Sequence, residues 1–379
     1  MGLVEKSIPF CWDTFFIPKK GLFKMIKKIQ FFDTTLRDGE QTIGVNFSIE
    51  EKIAIAQQLE KWGIDVIEAG FPIASKGDFQ AVQTVASSIK KARVTALARA
   101  NKKDIDACVQ ATAPAIHKQI HIFIATSPIH RQSKLHMTKK EVLEKIKGSI
   151  EYAHHFFEII EFSPEDATRT ERTFLVQAIE TAITAGASVI NIPDTVGYTN
   201  PAEFADLFTY LRKNIPTFDE VIFSVHCHDD LGMAVANSLA SIENGATRIE
   251  GTINGIGERA GNAALEEIAA ALYVRKDYYH ATDNINLKDT QATSEMISRY
   301  SKMPLPKNKA VGGKSTRLPL GKLSGSHAVM EKLKEMGYPF DHESMKIIFP
   351  IFKERADKKA LIDEKDLQVI MQQISEVKR

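Results

Sequence analysis

The chain has 379 residues, 44% of them hydrophobic and 26% charged, a balance that suits a globular protein and excludes a disordered one. Its 49 Lys and Arg against 48 Asp and Glu leave a net charge of +1, without the basic footprint that nucleic-acid binding needs. No apolar run reaches the roughly 18 residues of a membrane-spanning helix. The three cysteines, Cys11, Cys108 and Cys227, are too few and too scattered for a disulfide framework, so a cytoplasmic location is expected.

Residues 1–27 carry Phe10, Trp12, Phe15, Phe16 and Phe23 among lysines with no clear period, and are read as an N-terminal extension. From residue 28 to about 275, β-rich runs ending in polar residues alternate with longer helical segments. The runs fall at 29–35, 65–72, 93–99, 119–127, 158–166, 188–195, 220–228 and 247–255. The first helix opens on a capping box, Ser48 with Glu51, and presents Ile53, Ala56, Leu59 and Trp62 on one face before Gly63 closes it. The same helix–glycine–strand join recurs at Gly186 and Gly245. Eight such units in about 250 residues predict a (β/α)8 TIM barrel over 28–285. An open doubly wound sheet has fewer units. Residues 286–379 lose the alternation and predict a small helical C-terminal region, with helices near 292–302, 326–336, 342–357 and 363–375.

In such a barrel the chemistry sits where the strands end, and the polar residues gather there. The first run leads into Asp33, Arg37, Asp38 and Glu40. The fourth holds His121, the fifth ends in Ser163, Glu165 and Asp166, and the sixth in Asp194 and Thr195. The seventh carries His226-Cys227-His228, and the eighth leads into Glu258, Arg259 and Asn262. Residues i and i+2 of a strand face the same way. His226 and His228 are therefore paired to hold one divalent cation, with a carboxylate from another strand end, Asp38 or Asp33, completing the set. Arg37 beside them suits an anionic substrate or a developing oxyanion. Three neighbouring features carry less. Gly255-Ile-Gly257-Glu-Arg-Ala-Gly261 has its third glycine one residue late for a dinucleotide fingerprint and follows the last strand, so it reads as a tight loop. His154 and His155 read as surface or packing residues in a helix. Cys227, between two ligands and with no base left to activate it, reads as a buried thiol.

The motifs DTTLRDGEQT (33–42), IEAGFP (67–72), HIFIATSPIH (121–130), FSPEDATRT (162–170), INIPDTVGYTNP (190–201), HCHDDLGMAVANSLA (226–240) and INGIGERAGNAALEE (253–267) resemble those of the 2-isopropylmalate synthases. These are a branch of the DRE-TIM metallolyases, which also include the homocitrate and citramalate synthases. The resemblance covers about 30–275 closely and continues in pieces beyond. It implies an acyltransferase of leucine biosynthesis that condenses acetyl-CoA with 3-methyl-2-oxobutanoate; citramalate or homocitrate synthesis is the alternative. It implies that Asp38, His226 and His228 bind the divalent metal, with Asn262 at or next to it. Manganese or magnesium is expected, with zinc and cobalt also accepted by such sites. It gives Arg37 and Glu165 catalytic roles, and has Arg37, His121, Ser163 and Thr195 bind the 2-oxoacid. It implies a homodimer, with neither nucleic acid nor membrane as partner.

The sequence departs from that family in two places. Asn308-Lys309-Ala310-Val311-Gly312-Gly313 runs almost directly into Leu318-Pro-Leu-Gly-Lys-Leu-Ser-Gly325. A few dozen residues with an H-x-x-G-I-H motif are expected between them. In the family that stretch reaches the neighbouring subunit's active site and supplies a histidine for proton transfer. The short join near 311–318 therefore points to impaired catalysis, with a weakly catalytic metal- and oxoacid-binding homologue as the limiting case. The chain also ends at Arg379, before the leucine-binding region such synthases carry, so leucine is not expected to inhibit.

Overall fold

Eight strand-and-helix units follow one another from Gln30 to Val274 in the computed structural model. The structure describes residues 26–306, 309, 311, 320–338, 342–359 and 361–377. Residues 1–25 of the extension, and all of the join near 311–318 except Val311, lie outside them. The strands are β1 (Gln30–Asp33), β2 (Val66–Glu68), β3 (Arg93–Thr95), β4 (Leu97–Arg99), β5 (Ile120–Ala125), β6 (Ile160–Glu165), β7 (Val189–Asp194), β8 (Ile222–Cys227) and β9 (Arg248–Gly251). Their order in the sheet is β3-β2-β1-β9-β8-β7-β6-β5-β4, and every pairing is parallel. The two end strands are one chain segment interrupted at Ala96. The Leu97 amide donates to the Gly70 carbonyl on one side, at 3.0 Å, and the Ala96 carbonyl accepts from His121 on the other, at 3.2 Å. The sheet therefore closes on itself as the sequence predicts, with its third strand split in two.

The strands are shorter than the predicted runs, because the polar tails of those runs leave the ladder to build the loops of the mouth. The helices that follow are α1 (Ile49–Trp62), α2 (Lys76–Ser88), α3 (Lys102–Ala111), α4 (Lys139–Ala153), α5 (Arg172–Thr184), α6 (Pro201–Asn214), α7 (Ala234–Asn244) and α8 (Leu265–Val274). The capping box of α1 is present: the Glu51 amide donates to Ser48 Oγ at 3.2 Å and the Ser48 amide to the Glu51 carboxylate at 2.8 Å. Gly63 ends α1 with φ of 103°, and a Cβ there would lie 2.0 Å from the Asn284 carbonyl oxygen. The buried face is Lys52, Ile55, Ala56, Leu59 and Trp62, so Ile55 rather than Ile53 lies at its centre. The rotation lets Lys52 reach Glu40 under the mouth, Nζ to Oε2 at 2.6 Å.

Four further helices occur near the predicted positions: α9 (Thr290–Ser301), α10 (Ser326–Glu335), α11 (His342–Lys358) and α12 (Glu364–Val377). Helix α9 packs on the barrel. Its Ile297 joins the barrel's apolar cluster, and Trp62 Nε1 donates to Thr290 Oγ1 at 3.0 Å. The last three bury Val329, Leu333, Ile348, Phe352, Leu367 and Ile370 in a second apolar cluster. No helix among the described residues is long and apolar enough to cross a membrane.

Candidate metal centre and active site

After β1 the chain turns tightly around one carbonyl. The amides of Arg37, Asp38 and Gly39 all donate to Thr34 O, at 3.1, 2.8 and 3.1 Å. That turn swings Arg37 and Asp38 over the barrel mouth. It also decides between the two carboxylates considered from sequence. Asp33 accepts from the amide and the hydroxyl of its neighbour Thr35, both at 2.8 Å. Burial pushes its pKa up to about 7. Asp38 is the carboxylate that meets the histidines.

His226 is on β8 and His228 just past its end, where it bridges to Asn262. One ligand atom each from Asp38, His226 and His228 lie within 4.8 Å of one another, and all three residues are buried. Asp38 Oδ2 is 3.6 Å from His226 Nε2 and 3.7 Å from His228 Nε2. Donor atoms on metal bonds of about 2.0–2.2 Å are spaced in this way. Both rings have Nδ1 occupied, His226 at 3.3 Å from Glu250 Oε2 and His228 at 3.3 Å from the Asp194 carbonyl. Their Nε2 atoms are left for the centre.

Two buried polar atoms here have no hydrogen-bond partner, His228 Nε2 and Asn262 Oδ1. Asn262 Nδ2 donates to Asp38 Oδ1 at 2.8 Å and to the Ile256 carbonyl at 3.1 Å, which fixes the amide's orientation. Buried polar atoms are rarely left unpaired, and this donor set of two imidazoles, a carboxylate and an amide oxygen fits a divalent cation. The loop read from sequence as tight presses on the same point. A Cβ at Gly257 would lie 2.0 Å from Asn262 Nδ2 and 2.9 Å from Asp38 Oδ1.

Burial alone would raise the Asp38 carboxyl. The Arg37 guanidinium and the two imidazoles outweigh it and hold Asp38 well below the usual carboxylate range. Burial likewise opposes a charged His226, but Asp38 and Glu250 push its pKa up to about 9. The site thus favours positive charge at the point the three ligands share.

The cluster opens into a cavity of about 350 Å³, near the small end of ligand pockets. Arg37, Asp38, His121, Ser163, Glu165, Thr195, His226 and His228 all line it. Asn262, the ninth residue expected from sequence, reaches it through Asp38. Arg37 gives Nε to Glu68 at 2.6 Å and Nη1 to Asp38 at 2.7 Å. His121 lies between Glu68, at 2.7 Å from Nδ1, and Ser163, at 2.6 Å from Nε2. Burial lowers the His121 pKa, but Glu68 more than compensates and raises it above its ordinary value. Glu165 accepts two contacts from Lys134, at 2.8 and 3.0 Å.

Lys134, Glu68, Asn191 and Glu250 were not singled out from sequence. Glu68 ends β2 while Asn191 and Glu250 lie within β7 and β9, each between apolar neighbours, and that placement was the available signal. Cys227 is fully buried, and burial raises its thiol well above the usual range. His154 and His155 are exposed and follow the end of α4 rather than lying within it.

A family model described as HMGL-like matches residues 28–297, and the chain belongs to that family of proteins. Within it, the chain falls among the 2-isopropylmalate synthases. It is 55% identical over 378 residues to the 2-isopropylmalate synthase of Listeria monocytogenes serotype 4a (strain HCC23), covering 91% of this chain and 74% of the relative. It is 52% identical over 379 residues to that of Staphylococcus epidermidis (strain ATCC 35984), covering 92% and 74%. The first alignment, 378 positions long, uses 91% of 379 residues, about 345, so about 33 of its positions have no counterpart here. Two solved structures share the fold. The HMG-CoA lyase of Bacillus subtilis matches with a TM-score of 0.63 at 22% identity, over 75% of this chain and 97% of that one. An HMG-CoA lyase from Acinetobacter baumannii, in complex with coenzyme A and 3-methylmalate, matches with 0.64 at 19%, over 79% and 100%.

Proposed function

We propose that this chain condenses acetyl-CoA with 3-methyl-2-oxobutanoate, the acyl group becoming alkyl on transfer, as a 2-isopropylmalate synthase of leucine biosynthesis. The observation that carries the reading is the convergence of Asp38, His226, His228 and Arg37 on one small cavity, with two unpaired buried acceptor atoms at its metal end. The choice of substrates follows the relatives. Cytoplasmic location and homodimer assembly belong to the same proposal.

A divalent cation held by Asp38, His226 and His228, with Asn262 at or beside it, supplies Lewis-acid polarisation of the oxoacid ketone when bound; manganese or magnesium is the ion proposed. The chain's own groups do the rest. Arg37 is locked by Glu68 and Asp38, so its remaining Nη2 edge is a fixed cation for the acetyl enolate and the developing alkoxide. Thr195 Oγ1 already accepts the Asp166 amide, at 2.9 Å, which leaves its O–H to donate to the oxoacid carboxylate. Ser163 Oγ accepts from Asn191 Nδ2 at 2.8 Å and from a protonated His121, which frees its O–H in the same way. Glu165, paired with Lys134 Nζ at 2.8 Å, is the carboxylate that takes a proton from the acetyl methyl group. Hydrolysis of the thioester then releases coenzyme A as a thiol.

Thiol release from acetyl-CoA tests this directly. With 3-methyl-2-oxobutanoate, pyruvate and 2-oxoglutarate compared, the highest kcat/KM is expected for the first. A preference for pyruvate or 2-oxoglutarate would make the chain a citramalate or homocitrate synthase. The unmatched positions in the alignment favour one further reading, a weak catalyst that still binds metal and oxoacid. Heat of oxoacid binding without thiol release would establish it.

A further inference from the structure

Glu250 lies on β9 directly opposite His226 in the β8 register, with no exposed surface. A buried carboxylate is expensive unless it is paired and hydrogen-bonded. Two groups on β8 and one on β7 face Glu250. Ser224 Oγ donates at 2.7 Å, Asn191 Nδ2 at 3.3 Å, and His226 Nδ1 lies at 3.3 Å. An apolar side chain would pack the barrel interior at least as well, so the carboxylate's presence points to what it holds. The two imidazoles are not held alike: His228 faces a neutral backbone carbonyl, whereas His226 faces a full negative charge.

Glu250 also closes a circuit. From Asp38, contacts run through Arg37 and Glu68 to His121. They continue through Ser163 and Asn191 to Glu250, and so to His226. The return step, His226 Nε2 to Asp38 Oδ2, is 3.6 Å, too long for a hydrogen bond. The break in the ring coincides with the candidate cation position.

We propose that Glu250 is a positioning residue for the metal centre. It holds His226 with the proton on Nδ1 and the Nε2 lone pair aimed at the cation. Through Asn191 and Ser163 it fixes that ligand relative to the oxoacid pocket. The proposal rests on the reading of Asp38, His226 and His228 as metal ligands, and its test needs no turnover.

Metal-free protein is titrated with Mn²⁺ alone, free Mn²⁺ being read by electron paramagnetic resonance, and metal-free thermal unfolding is recorded in parallel. Glu250→Gln keeps an acceptor for Nδ1 but loses the charge, and Glu250→Ala loses both. The expected order of affinity is wild type, Gln, Ala, with Kd raised about 10-fold and then up to about 100-fold, the range typical of residues that orient metal ligands. A merely structural Glu250 would lower the metal-free Tm and leave Kd unchanged. An unchanged Kd in folded Glu250→Gln would overturn the proposal. If neither Glu250 variant folds, Ser224→Ala, which removes the hydroxyl that donates to the carboxylate at 2.7 Å, decides. A raised Kd supports the positioning role and an unchanged one overturns it. Wild-type protein that binds no Mn²⁺ would overturn the metal site itself, a different outcome from a variant that binds as well as wild type.

Discussion

Arg37→Lys is expected to lower kcat for condensation by about 10²–10³-fold, the usual loss when one donor to a developing oxyanion is removed, while oxoacid affinity changes little. Lysine keeps the charge but not the planar fork. Arg37 uses Nε for Glu68 and Nη1 for Asp38, at 2.6 and 2.7 Å, and the geometry of the third nitrogen depends on both. A single ammonium cannot satisfy two carboxylates on either side and also present a fixed donor to the cavity. Steady-state kinetics with calorimetry of the oxoacid separates the alternatives. Unchanged kcat with weakened oxoacid binding would make Arg37 a substrate clamp instead.

Lengthening the join after Gly313 is expected to have an effect of the same order in the opposite direction. About 33 aligned positions of the Listeria monocytogenes relative have no counterpart in this chain. The resemblance places at this join a stretch that carries a proton-transferring histidine. Proton transfer by a positioned side chain is typically worth about 10²–10⁴ in rate. Insertion of the relative's segment should raise kcat by that order and leave oxoacid affinity unchanged, because the barrel, Asp38, His226 and His228 are already in place. Activity equal to the relative's before insertion, with no gain after it, would show that the short join costs nothing.

The barrel was legible because eight polar-tailed runs repeat with glycine-ended helices between them, and because α1 announces both its start at Ser48 and its end at Gly63. The metal set was legible for a local reason. The i, i+2 spacing of His226 and His228 fixes two ligands on one face, and the turn that carries Asp38 follows a strand end. The choice between Asp33 and Asp38 is not visible in the spacing, since it depends on the backbone turn around Thr34 O directing one carboxylate to Thr35 and the other to the mouth. Glu68 was hidden for a different reason. Its partner His121 is 53 residues away, on a strand that comes within reach only when the sheet closes through the split at Ala96. Glu250 and Asn191 are alike in this. A charged or amide side chain in mid-strand identifies an inward-facing group, but its partners lie on other strands. The face of α1 was misassigned by a small rotation, because Lys52 turns inward to Glu40 and the apolar spacing does not show that ion pair.

The most direct test of the metal centre is a crystal structure of the protein grown with Mn²⁺, with anomalous scattering recorded at the manganese edge. One peak is expected about 2.0–2.3 Å from His226 Nε2, His228 Nε2 and a carboxylate oxygen of Asp38, with Asn262 Oδ1 facing it. A peak elsewhere, or Asp38 and the two histidines meeting at no common point with manganese in excess, would contradict it.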